Sequence, residues 1–265
     1  MRLRRAPANP GAEMSLLEHI AELRDRIIKS CLALAVTTTV AFFVLYSPVL
    51  RFVTKAYCQV PVQYRVTPVT GKCALVNYGV LEPISVRMRL SATIGLVLAI
   101  PVIAFQLWRF VTPGLKPNEK RYAIPFALAS TLLFAGGVAV AFLTMPKAVN
   151  FLVTIGGNQM VAQFAADRYL RFVLFMGLAF GLTFEFPLVL VSLSLVGILS
   201  SQAMLKAWRP AVIVIIVVAA VVTPSQDPFS LFAMAIPMWI FYFGAAAVAR
   251  FIIEPARARR QRVGL

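Results

Sequence analysis

Histidine, cysteine and acid are all scarce in this chain, and each shortage removes a class of function. His19 is the sole histidine, and no His-Glu-x-x-His occurs. The three cysteines, Cys31, Cys58 and Cys73, include no Cys-x-x-Cys step. A metal site is therefore not expected, since structural and catalytic zinc both draw on clustered Cys and His. No Gly-x-x-x-x-Gly-Lys-Ser/Thr loop is present, so nothing cradles a nucleotide triphosphate. No nucleophile–base pair suggests itself either, and the chain is not read as an enzyme. No cofactor is expected.

Against those shortages stands an excess of apolar residues. Hydrophobic residues make up 60% of the 265 and the mean hydropathy is +0.82. Soluble domains lie near 45–50% apolar. The length suits one membrane domain with small loops and no separate soluble domain. The net charge of +16 comes from 26 Lys and Arg against 10 Asp and Glu, and the cations sit at the ends of apolar runs. That distribution fits anionic lipid headgroups and gives no reason to invoke nucleic acid.

Runs of about 20 apolar residues are long enough to cross a bilayer. They predict an all-α polytopic membrane protein with six transmembrane helices, at about 28–50, 88–109, 120–146, 169–197, 210–224 and 228–249. A flexible basic N-terminus (1–14) precedes this membrane domain (15–249), and a basic tail (250–265) follows it. The first apolar run lacks a small-residue cleavage site and is read as a retained helix. Spans five and six read as short and are joined by a tight turn. Lys and Arg number 17 on the side of the termini and 9 on the other, so both termini are expected in the cytoplasm.

Three groups of residues stand out. Ser15 and Glu18 fit a capping box, starting a helix with Leu16, Ile20, Leu23 and Ile27 on one face and Glu18, Glu22 and Asp25 on the other. The acidic face is either a receptor for a cationic partner or a solvated face with internal pairs such as Glu22 with Arg26. In the loop Trp108-Arg-Phe110-Val-Thr-Pro113-Gly-Leu-Lys-Pro-Asn118-Glu119-Lys-Arg121, Asn118 fits a helix cap. Glu119 then either serves the helix dipole or joins Glu22 as a two-carboxylate clamp for guanidinium groups. Third, Glu185 is the only charged residue between 172 and 205. A carboxylate at bilayer depth costs about 2.5–3.5 kcal/mol, so it is expected to face a bundle interior or a wet cavity. Gly177, Gly181 and Glu185 share a helical stripe, and Pro187 is expected to kink the helix there. Asp227 lies in the turn before span six and reads as a turn residue. Cys58 and Cys73, in the loop after span one, are either bridged or free thiols. An ion- or proton-coupled small-solute transporter using Glu185 is the alternative function, although no repeat relates the two halves.

Glu18-His-Ile-Ala-Glu22-Leu-Arg24-Asp-Arg26, the segment from Pro101 through Trp108-Arg-Phe110-Val-Thr-Pro113-Gly to Glu119, Phe184-Glu185-Phe-Pro187, and Thr223-Pro224 with Asp227 resemble the TatC family. TatC is the multispanning receptor subunit of the twin-arginine protein translocase. The resemblance implies a concave six-span protein of the prokaryotic cytoplasmic membrane. Such a protein binds the paired arginines of signal peptides on folded cargo and scaffolds an export complex driven by the protonmotive force. It implies that Glu22 and Glu119 hold the arginines, that Arg24 and Phe110 belong to the recognition surface, and that Glu185 is the intramembrane acid. The implied partners are TatA-like and TatB-like single-span subunits, membrane lipid and further copies of the chain. Leu231 departs from the family, which frequently has Gln there, and the Cys58/Cys73 pair is not a general family feature.

Overall fold

The computed structural model describes residues 16–59, 75–111, 123–155, 165–224 and 227–255. Among the described residues all regular structure is helical, apart from one isolated parallel bridge between Val76 and Ala165. In order, the elements are α1 (Leu16–Val40), a π-helical turn (Ala41–Leu45), α2 (Tyr46–Cys58), α3 (Glu82–Val111) and α4 (Ala123–Thr154). They continue with α5 (Ala166–Thr183), α6 (Phe186–Val196), α7 (Ser201–Lys206), α8 (Trp208–Val222), α9 (Pro228–Val248) and a second π-helical turn (Ala249–Ile253).

Among the described residues, five apolar stretches are long enough to cross a bilayer: Ile20–Lys55, Glu82–Phe110, Ile124–Thr154, Ala166–Val196 and Pro228–Ile253. The sixth, α8, has 15 residues and reaches about 22 Å at 1.5 Å per residue, less than the ~30 Å hydrocarbon thickness. The shortness expected of spans five and six therefore belongs to α8. The span built on α9 continues through its π-helical turn and has 26 residues. The alternating chain direction gives two faces. The start of α1, the C-terminal end of α3, the start of α4 and α7 lie on what is here called the terminal face. The ends of α2 and α4, the starts of α3 and α5 and the α8–α9 turn lie on the distal face.

The α5–α6 span is the centre of the bundle, with 61% of its apolar window buried against 6% for the first span. Tyr169, Val173, Met176 and Phe180 of α5 pack into a core with Met145 and Val149 of α4 and Met234 and Met238 of α9. Leu132, Leu143, Ile213, Val217 and Ile240 face outward and exposed, as lipid-facing residues do. Small residues set the closest crossings. A Cβ on Gly95 would lie 2.6 Å from Thr38 Cα, and the Thr37 hydroxyl donates to Gly95 O at 2.7 Å, so α1 and α3 touch backbone to backbone. Gly137 plays the same part between α4 and α5, where a Cβ would lie 2.9 Å from Gly181 Cα.

The first span carries its π-helical turn without any Gly or Pro inside it. There the Phe42 carbonyl accepts from Arg87 Nη2 at 3.1 Å, and the guanidinium stacks over the Phe42 and Tyr46 rings. The widened turn supplies an acceptor to a cation at the edge of the apolar zone.

Candidate functional site

On the terminal face, Glu22 and Arg26 stand one turn apart on α1. Arg26 Nη2 donates to Glu22 Oε1 at 2.7 Å, and Arg26 Nη1 donates to Gln106 Oε1 of α3 at 3.0 Å. Their side chains are only 20% and 13% exposed. Arg24 and Asp25, 3.6 Å apart, project outward at 73% and 61%. The internal pairing of Glu22 thus exists, and it separates Glu22 from Asp25 on what the helical wheel treats as one acidic face. Glu22 Oε2 is covered and has no partner among the described residues. The unmatched oxygen has the capacity for a second cationic donor, which reaches it only when the side chains that cover it move aside.

Phe110 is half-buried at the end of α3, one turn beyond Gln106. The neighbouring Trp108 ring packs against Phe126 of α4, with centroids 4.5 Å apart, and ties the two helices where the intervening loop leaves and returns. Glu119 and Asn118 lie outside the described residues, as do Ser15 and the side chain of Glu18.

Within the bilayer zone, α5 ends at Thr183 and α6 begins at Phe186. Pro187 has no N–H to continue the ladder, so the chain tightens: Glu185 N donates to Leu182 O at 3.1 Å. This break turns the Glu185 side chain toward α4, where the Ser130 hydroxyl donates to Glu185 Oε1 at 2.8 Å. Ser130 is buried and Glu185 half-buried. The glycine stripe is only half used. A Cβ on Gly181 would meet the Phe134 ring at 2.7 Å, whereas one on Gly177 would meet nothing within 4 Å. Gly177 therefore permits no close helix approach of its own.

On the distal face Asp227 is buried and caps α9, its Oδ1 accepting from Ser230 N at 2.8 Å. Cys58 is disulfide-bonded and Cys31 is a free thiol; Cys73 lies outside the described residues. The same face holds an ionic network that sequence reasoning did not identify. Asp167 pairs with both Arg89 of α3 and Arg171 of α5. The Glu82 carboxylate accepts from the backbone of Tyr78 at 2.7 Å, Gly79 at 3.1 Å and Asp167 at 3.0 Å. Gln106 and Ser130 were missed as well. The one available signal was their polarity inside apolar runs, which does not name a partner 80 or 55 residues away.

A family model for the Sec-independent protein translocase protein (TatC) matches residues 18–237. The chain belongs to the TatC family. It is 38% identical over 244 residues to a protein of Frankia casuarinae named Sec-independent protein translocase protein TatC, covering 90% of this chain and 66% of that one. It is 33% identical over 258 residues to the protein of the same name in Deinococcus radiodurans, covering 96% and 93%. The chain thus spans just under two thirds of the Frankia relative and almost all of the Deinococcus one. Two crystal structures of the twin arginine translocase receptor TatC, one of them in DDM, superpose with TM-scores of 0.67 and 0.70 at 30% identity. Each covers 88% of this chain, which spans 98% and 99% of theirs. The small-solute transporter alternative finds no support in these matches. The six-span all-helical reading agrees with them.

Proposed function

We propose that this TatC-family chain is the signal-peptide receptor of a twin-arginine export complex, and that Glu22 and Glu119 together bind the paired arginines of the signal. The observation that carries the reading is the half-used carboxylate of Glu22. It is held in place by Arg26 and Gln106, largely covered, and left with one oxygen for another guanidinium. Eight residues separate Phe110, at the end of α3, from Glu119, so a short stretch of chain links the described edge of this face to the second carboxylate. Arg24 and Phe110 belong to the same recognition surface in this reading. Arg presents a rigid two-pronged donor that a carboxylate matches and Lys does not, which gives the site its selectivity.

The function is binding and assembly, not bond-making. Glu185, bonded to Ser130 inside the apolar zone, supplies a polar point that single-span TatA-like and TatB-like subunits can engage, and energy comes from the protonmotive force. In this reading the terminal face is cytoplasmic, both termini are inside, the membrane is the prokaryotic inner membrane, and several copies share one complex. Asp227 caps its helix in the extracytoplasmic turn. On that oxidising side Cys58 pairs with Cys73, closing a loop of about 15 residues for a stabilisation of about 3 kcal/mol. The disulfide-bonded state of Cys58 supports this pairing.

The test is photocrosslinking. A crosslinker placed beside Glu119 and another beside Glu22 in the full chain should each capture a twin-arginine peptide, and excess unlabelled Arg-Arg peptide should compete far better than Lys-Lys. Capture at neither position, with capture elsewhere on the chain, overturns the clamp.

A further inference from the structure

The distal face has an uncompensated pair of cations beside a cavity. Arg51 and Lys55 are four residues apart on α2, both exposed, and neither has an ion-pair or hydrogen-bond partner among the described residues. Like charges at this spacing repel, so the arrangement is unfavourable unless an anion lies between them. The C-terminal end of α2 accounts for Lys55 in its last turn but not for Arg51, a full turn earlier.

No acid of the chain is free to serve as that anion. No Asp or Glu occurs between Asp25 and Glu82. Of the distal acids, Glu82 is spent on three backbone N–H groups and Asp167 on Arg89 and Arg171, while Asp227 is buried at the cap of α9 and does not line the cavity beside Arg51 and Lys55. Arg51 and Lys55 line a cavity of about 500 Å³ between α2, the segment at Leu75 and Asn77, and the starts of α3 and α5. Thr54 and Asn77 add polar groups to the lining, and Leu50, Val86 and Leu170 add apolar ones. Arg87 stacks on the Tyr46 ring, which also borders the cavity, and adds a third positive charge nearby.

The depth identifies the ligand. The charge-free run before Arg51 has 21 residues, 30–50, and spans roughly 31 Å, a full hydrocarbon thickness. Arg51 and Lys55 therefore sit at headgroup level, two to three turns beyond the exposed apolar side chains Phe43 and Val44 of the same span. We propose that this cavity binds an anionic phospholipid, its phosphate held between Arg51 and Lys55 and its acyl chains lying along the exposed apolar side of the first span. The site lies at the other end of the first span from Glu22 and stands whether or not the clamp forms.

The experiment uses the purified full chain in dodecyl maltoside, titrated with phosphatidylglycerol or with phosphatidylcholine of the same acyl chains, and counts bound lipid by native mass spectrometry. One phosphatidylglycerol should bind in preference to phosphatidylcholine. A cation at an anionic headgroup layer contributes roughly fivefold, so R51Q/K55Q should weaken that site about thirtyfold. R51K/K55R, which keeps both charges, should retain it. Inorganic phosphate should not displace the lipid, because it lacks the chains that hold to the apolar side. Equal binding of the two lipids overturns the proposal. So does unchanged preference in R51Q/K55Q, or a loss in R51K/K55R as large as in R51Q/K55Q. Displacement by inorganic phosphate overturns the lipid and assigns the site to the free anion.

Discussion

Two glycines on neighbouring helices should respond in opposite directions to the same substitution. Gly137→Ala adds a methyl group that would lie 2.9 Å from Gly181 Cα and from the Phe180 carbonyl carbon. Carbon atoms in contact rest about 3.5–4.0 Å apart, and the obstructing atoms are backbone, so α4 and α5 must separate by roughly 1 Å. Two turns away on the same interface, the 2.8 Å bond from Ser130 to Glu185 would stretch beyond hydrogen-bonding range. Overpacking costs about 1–3 kcal/mol and a lost bond to a charged group about 1.5–3, offset by about 1 from the better helix propensity of Ala, for a net loss of about 1.5–5 kcal/mol. Gly177→Ala meets nothing within 4 Å and keeps only the propensity gain. Gly181→Ala should fall between them, because it presses on the buried Phe134 ring and not on backbone. Unfolding of the purified chain by SDS in mixed micelles reads all three. Equal stability of the Gly137 and Gly177 variants would refute the helix-crossing argument, along with its account of how Glu185 is positioned.

The distal network and the cap of α9 give two further predictions. Asp167→Ala should lower stability by about 1–2 kcal/mol in the same SDS titration, the low end for charge-assisted bonds because Arg171 is 60% exposed; Asp167→Asn should lose less, and no change would mean that Arg89 and Arg171 find solvent equally good. Asp227→Ala should speed hydrogen exchange at the Ser230 amide and cost about 1 kcal/mol, whereas Asp227→Ser should restore most of the protection, as an alternative cap does.

The spans were legible because the physics of the bilayer writes itself along the chain: a long uncharged run has few other uses. Glu185 was legible for the same reason, as a charge where charge is costly. Its partner was not, since a lone Ser in an apolar helix looks the same whether it faces lipid or a carboxylate. The pairing of Glu22 with Arg26 follows from helical spacing, but the brace from Gln106 depends on how α1 crosses α3, and Gly95 alone does not announce that crossing. Arg87 and Arg89 are two of the nine cations on the distal side. Their surroundings explain them: Arg89 is neutralised by Asp167, and Arg87 is satisfied by a carbonyl in a π-helical turn that no Gly or Pro in Ala41–Leu45 signals. The glycine stripe misled at Gly177, because shared phase on a helix does not guarantee a neighbour.

The central claim rests on the unpaired, covered oxygen of Glu22, and peptide affinity measures it most directly. The full chain in nanodiscs should bind an Arg-Arg signal peptide more tightly than its Lys-Lys counterpart. Glu22→Gln keeps the size of the side chain but removes its charge. It should weaken Arg-Arg binding about 10- to 150-fold, the equivalent of one charge-assisted hydrogen bond, and narrow the gap between the two peptides. An unchanged affinity for the Arg-Arg peptide in a correctly folded Glu22→Gln chain would contradict the account.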